Sequence, residues 1–315
     1  MNKQASQRIK RFYFFSHQQK EKELANALVT AGWRQSHTPT NADILFSDGD
    51  HPSRHYDFQK YTQRGKSIFG YPHAGRPNLF NDFDSMPISP YITADFIPSN
   101  GHAKVQQAFG VERPFESIGW WLCPMHEFQS KQQAYKILFA PIHPNANGSL
   151  SHIDKQINSD TFKILLKLLE FSKIELTVRH LQLLERNGLW RENGVRYVLG
   201  QADQTYQEID EADLVVTHQT MQYITVARGV PTVGMGESIP PRIGCVEQHN
   251  FSQVKSFDKY KDILAFPLDI LTEPDTLALF ERTIASDTEI VEWRARMIGE
   301  PFDAKKFVER MESYL

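Results

Sequence analysis

The chain is poor in cysteine. Its 315 residues include two, Cys123 and Cys245, far apart and in no Cys-x-x-Cys pattern. That excludes a disulfide scaffold and suits a cytoplasmic setting. Long apolar runs are also missing. The apolar run nearest the amino terminus, 12–15 (FYFF), falls short of the ~7–15 residues of a signal-peptide core. No stretch approaches the ~18–20 residues of a membrane span. Neither sign of charge dominates: 35 Lys and Arg face 38 Asp and Glu, for a net charge of −3. The composition therefore supplies no general attraction to nucleic acid or an anionic membrane. Neither half contains Gly-x-Gly-x-x-Gly, which argues against an ordinary dinucleotide enzyme. The histidines form no His-Glu-x-x-His or other metal spacing, so no structural zinc is expected. Internal repeats and low-complexity tracts are absent too.

What the sequence does have is a regular alternation of apolar strands and amphipathic helices. With 40% hydrophobic and 23% charged residues it is globular in composition, and at ~100–200 residues per domain its length favours two domains. In the first half, strands are predicted at 11–16, 42–47 and 67–70. Helices are predicted at 20–31, stopped by Gly32, and at about 52–64. A further strand, helix and strand are read at 92–98, 102–109 and 117–120. Polar 127–133 (EFQSKQQ) interrupts the pattern. The alternation then resumes, with strands at 136–141, 174–178, 195–199, 212–217 and 231–235. Its helices fall at 159–171, 181–187, 206–211 and 220–228. Residues 273–315 read as helical, with a break at 299–303. Strand–helix alternation of this kind is the signature of parallel sheets with crossover helices.

Open parallel sheets bind ligands at the carboxyl ends of their strands, so the residues after each strand carry the functional reading. The strongest segment is 212–237 (ADLVVTHQTMQYITVARGVPTVGMGE). A buried strand runs into His218, Gln219 and Thr220, where a helix starts. Helix N-terminal amides and the positive end of the helix dipole suit a diphosphate. Thr220 either donates to that ligand or serves as an N-cap. Glu237, past the next strand, is a ribose acceptor or a surface acid. His73 lies in the turn 71–76 (YPHAGR), where Gly75 permits close backbone approach. It is a general-base candidate for an acceptor hydroxyl or a structural turn residue. Asp48 and Asp50 flank Gly49 as the rival base, or as an ordinary tight turn. They make a poor cage for a divalent cation by themselves. The loop after 136–141 holds His143 and Asn145, which with Arg76 are candidates for donor or acceptor contacts. That loop reads equally well as a solvated one.

Four stretches carry a family resemblance. Residues 212–237 resemble the region of two-Rossmann-domain (GT-B-type) glycosyltransferases that runs acid, apolar strand, polar turn, helix, Gly-x-Pro and strand. The strand followed by Ala-Pro at 136–141 and the segments 293–299 (WRARMIG) and 301–306 (PFDAKK) resemble glycerophosphotransferases acting on CDP-glycerol. The turn 71–76 is similar to one found in those enzymes and in UDP-N-acetylglucosamine 2-epimerases. One departure stands out: the glycerophosphotransferases usually carry Asp-Tyr-Ser-Ser where this chain has His218-Gln219-Thr220-Met221.

The resemblance implies an α/β chain of two Rossmann-like domains with parallel sheets facing a central cleft. Residues 1–130 would bind the acceptor and 131–315 the nucleotide, with about 275–315 crossing back to the first domain. Arg179 and His180 resemble a basic residue and histidine that reach the nucleotide diphosphate in those transferases, and their chemistry suits a pyrophosphate. They read otherwise as an exposed helix start. The implied activity is glycosyl transfer from a nucleotide-sugar donor to an unknown acceptor hydroxyl on a glycan, a lipid-linked molecule or a nucleic acid. No metal or other cofactor is expected. The alternatives are CDP-glycerol-type polyol phosphate transfer, UDP-sugar 2-epimerisation, transfer to a modified DNA base, and ligand binding without chemistry.

Overall fold

The structure is a computed structural model. It describes residues 9–15, 21–48, 55–72, 89–108, 110–128, 135–142, 152–171, 173–179, 192–236, 266–285 and 288–315. The chain separates into two compact units, one of Met1–Leu122 with Gly299–Leu315, the other of Cys123–Ile298.

The first unit runs β1 (Arg11–Phe14), α1 (Lys22–Thr30), β2 (Arg34–Gln35), β3 (Ile44–Ser47), α2 (His55–Thr62), β4 (Ser67–Gly70), β5 (Ala94–Ile97), α3 (Asn100–Ala108) and β6 (Phe115–Ser117). The strands form one parallel sheet in the order β2-β1-β3-β4-β5-β6. β3 and β5 are buried throughout, as expected of strands covered on both faces. One face packs Phe12, Phe14, Phe46, Phe69 and Phe96 against Leu24 and Leu28 of α1 and against Phe307 and Met311 from the end of the chain. Leu45, Ile68 and Ile92 cover the other with Phe58 and Tyr61 of α2.

The second unit runs β7 (Lys136–Phe139), α4 (His152–Phe171), β8 (Glu175–Arg179), β9 (Val195–Val198), α5 (Thr205–Asp210), β10 (Leu214–Thr217), α6 (Gln219–Ala227), β11 (Thr232–Gly234), α7 (Thr276–Ile284) and α8 (Thr288–Met297). Its sheet is also parallel, in the order β11-β10-β7-β8-β9. Helices α7 and α8 stay with this unit. The final helix, α9 (Ala304–Glu312), belongs to the first, so the return is made by residues 299–315 alone. There the backbone of Trp120 bridges Pro301, and the Trp120 N–H donates to the Glu300 carbonyl at 2.8 Å.

In several places the elements differ from those read in the sequence. β2 and the 3-10 turn Pro39–Asn41 were not expected. α4 starts at His152 instead of 159. β6 covers Phe115–Ser117 instead of 117–120, because Trp120 pairs with the returning segment. The helix expected at 181–187 lies outside the described residues.

Candidate functional site

Each sheet has one point where the chain, having laid strands on one side of its first strand, begins laying them on the other. In the first unit this falls between β1 and β3, and in the second between β7 and β10. Ligands of open α/β sheets bind outside the carboxyl ends at such a point.

In the second unit the two strand ends are tied together. The Ala140 N–H donates to the Val216 carbonyl at 2.9 Å, and the Thr217 hydroxyl donates to the Ala140 carbonyl at 3.0 Å. His218 follows in extended conformation, φ −142° and ψ 162°, as the residue before α6, and its side chain makes no capping hydrogen bond. Gln219 and Thr220 occupy the first turn of α6, so the helix begins one residue earlier than predicted and Thr220 is not its cap. The Gln222 amide, buried in the next turn, donates to the Thr217 carbonyl at 3.3 Å. Beyond β7, the side chain of Asn158 accepts from the Ile142 N–H at 2.8 Å and donates to the Ile142 carbonyl at 3.3 Å. The arrangement presents helix-end amides, a histidine and a hydroxyl at one edge of a rigid sheet, a combination suited to an anionic ligand.

Arg179, the last residue of β8, is buried and pairs with Glu208 of α5. Its Nη2 also donates to the Gln201 carbonyl at 3.0 Å and the Thr205 hydroxyl at 2.6 Å. This geometry holds α5 against the sheet. α5 is fixed at its other end by Asp210, which takes both Nε and Nη2 of Arg228. The Asp210 contact raises the Arg228 pKa above its ordinary value. Tyr206, stacked under Arg228 at 4.9 Å, has its phenol pKa raised chiefly by burial.

In the first unit, Asp48 follows β3 at the switch point. At the end of β4, Tyr71 donates its hydroxyl to the buried carboxylate of Glu21 at 2.7 Å. Neither Glu21 nor Asn158 stood out in the sequence. The signal for Asn158 was a polar residue within the stripe Ile157, Phe162, Leu165, hidden because the helix was begun one residue after it. Asp50, His73, Arg76, His143, Asn145, His180 and Glu237 lie outside the described residues.

Among the described residues no group of three or more His, Cys, Asp or Glu side chains is gathered as a metal cluster. No described helix is long and apolar enough to cross a membrane.

In sequence the chain matches no protein-family model and no curated protein. In structure its fold is that of GT-B-type enzymes, with two Rossmann-like units in one chain. It is similar to a protein of Listeria monocytogenes assigned as a UDP-N-acetylglucosamine 2-epimerase, with TM-score 0.56 and 13% identity over 97% of this chain and 96% of the other. It is similar to S. aureus MnaA, solved with UDP, with TM-score 0.56 and 10% identity over 97% and 96%. A third likeness is to the wall teichoic acid polymerase TagF, with TM-score 0.51 and 10% identity over 97% and 88%.

Proposed function

We propose that the chain is an enzyme acting on a nucleoside diphosphate-linked sugar, and that its reaction is transfer of the sugar to an acceptor hydroxyl. The observation that supports this most is the start of α6. His218 leaves β10 at the switch point without capping the helix through its side chain. The first-turn amides and the positive helix end therefore stand where Rossmann-like units take phosphates. Thr220 adds a hydroxyl donor. In this reading His218, Gln219 and Thr220 hold the diphosphate, and His180 is a further candidate for the same role. Glu237 takes the ribose, and His143, Asn145 and Arg76 contact donor or acceptor. Arg179 supports the site from behind by fixing α5. His73 is the base that deprotonates the acceptor, with Asp48 and Asp50 as the rival pair. Charge on the departing diphosphate is met by the helix end.

A second reading, 2-epimerisation of a UDP-sugar, is favoured by the likenesses to the Listeria protein and to MnaA. The TagF likeness favours polyol phosphate transfer in the same way. One sequence of measurements separates the readings. Thermal shifts with UDP, CDP, GDP, ADP and dTDP come first, since a ligand of the folded state raises its stability as RT ln(1 + [L]/Kd). The preferred nucleotide is then supplied as its sugar conjugate without acceptor and followed by NMR. Slow release of the free sugar and nucleoside diphosphate, with water as acceptor, supports transfer. Interconversion at carbon 2 of the sugar supports epimerisation. Stabilisation by none of the five nucleotides would remove the proposal.

A further inference from the structure

We infer that one turn of α4, formed by Ile157 and Asn158, is a brace that positions both strand exits flanking the nucleotide site of the second unit. The inference rests on the proposed nucleotide site, but its geometry is independent of it. Asn158 has no exposed surface and Ile142 has 4%. The Asn158 carboxamide meets the Ile142 backbone through both of its hydrogen-bonding groups, accepting from the N–H at 2.8 Å and donating to the carbonyl at 3.3 Å. It does for the chain leaving β7 what a neighbouring strand would do. A buried amide is costly unless bonded, so the pair fixes the backbone at the residue just before the segment with His143 and Asn145.

The preceding residue supports the other side. Gly236 follows β11 with φ 77°, a conformation that favours glycine, and a Cβ built on it would lie 2.9 Å from Ile157 Cδ1. The chain leaving β11 toward Glu237 thus rests on Ile157. In the sheet, β7 and β11 lie on either side of β10, the strand that feeds α6. A single helical turn therefore sets the two backbones that border the start of α6. Asn158 touches no ligand in this scheme. It is a positioning residue, and a purely structural role would lower stability without changing affinity per folded molecule.

Asn158→Asp tests this, because its two protonation states do opposite things. The protonated carboxyl accepts from the Ile142 N–H and donates to the Ile142 carbonyl, reproducing both bonds. The carboxylate sets an oxygen against that carbonyl. Burial raises a carboxyl pKa, which brings the protonated form within reach of mildly acidic pH. UDP is titrated calorimetrically into wild type and Asn158→Asp at about pH 8 and about pH 5, with circular dichroism establishing that both are folded. The variant-to-wild-type ratio removes the titration of UDP itself.

We expect the variant to bind UDP about tenfold more weakly at the higher pH and close to wild type at the lower. Equal affinity at both pH values in the folded variant overturns the inference. Ile157→Ala is the second arm, expected to weaken UDP severalfold through the Gly236 side. If Asn158→Asp does not fold at the higher pH, unchanged affinity in Ile157→Ala overturns the inference. Failure of wild type to bind any nucleoside diphosphate counts against the function reading instead. The brace is then read by hydrogen exchange at the Ile142 amide, which should quicken in Asn158→Asp at the higher pH only. Exchange equal to wild type overturns it.

Discussion

Tyr71 and Glu21 join the exit of β4 to the entry of α1 through one buried hydrogen bond of 2.7 Å. Glu21 stands before a helix yet makes no capping bond there; its carboxylate is buried on the hydroxyl of Tyr71, whose ring meets Phe14 edge-on at 5.9 Å. Tyr71→Phe removes the donor and strands the acid, so it should destabilise the protein by about 1–3 kcal/mol. Glu21→Gln keeps an acceptor and removes the charge, so it should cost less. Urea unfolding of the two variants checks the order, and a larger loss in Glu21→Gln would contradict it.

Arg179 and Glu208 make the equivalent test in the second unit. Their side chains are 4% and 14% exposed, so removing one partner leaves a largely desolvated charge. Arg179→Met should cost about 3–5 kcal/mol, and the double change with Glu208→Met should cost less than Arg179→Met alone. UDP affinity of the folded Arg179→Met protein should stay within about threefold of wild type, since less than ~0.7 kcal/mol of binding is then involved. A loss of about tenfold or more would return Arg179 to the diphosphate.

Thr220→Glu separates helix stability from ligand grip. An acid in the first turn of α6 is favoured by the helix dipole, by about 0.3–1 kcal/mol, so the melting temperature should hold or rise. The same charge repels a diphosphate, and UDP affinity should fall by about tenfold or more. Parallel loss of stability and affinity would mean that the residue is merely a packing position.

Tyr314 gives the first unit an alkaline limit. Burial, and then its hydrogen bond of 2.7 Å to Glu116, push its pKa up from 10.0 to about 12. The folded pKa lies above the unfolded one, so the neutral phenol's contribution is whole below pH 10 and is lost as pH rises toward 12. The difference in unfolding free energy between wild type and Tyr314→Phe, followed from about pH 9 to about pH 12, should shrink across that window. A difference constant with pH would show that Tyr314 ionises as freely as in the unfolded chain.

Much of the fold was legible because parallel strands buried on both faces leave short apolar runs. β3 (ILFS) and β10 (LVVT) are buried at every position, and β4 has the bounds the sequence predicts. β2 was not legible, since Arg34 and Gln35 are both exposed and carry no apolar signal. The start of α4 was missed because Asn158-Ser159 has the composition of an N-cap, whereas the Asn158 side chain is used on Ile142. At the site, the place of His218, Gln219 and Thr220 followed from the apolar strand before them. The environment of Arg179 did not, because its partner Glu208 comes 29 residues later and no local pattern announces the pairing.

The return of residues 299–315 also bears on how the protein is made. Translation delivers the sheet of the first unit before the second unit, yet Phe307, which lies 4.9 Å from Phe96 and 6.0 Å from Phe46, is delivered after the whole of Cys123–Ile298. The unit begun first is therefore completed last, while the uninterrupted second unit can finish on the ribosome, as domains generally do. During that interval the part of the aromatic face that Phe307 and Met311 cover stays open beside α1. A stalled ribosome, or a protease that trims the tail, would yield a chain with one finished half and one sticky one.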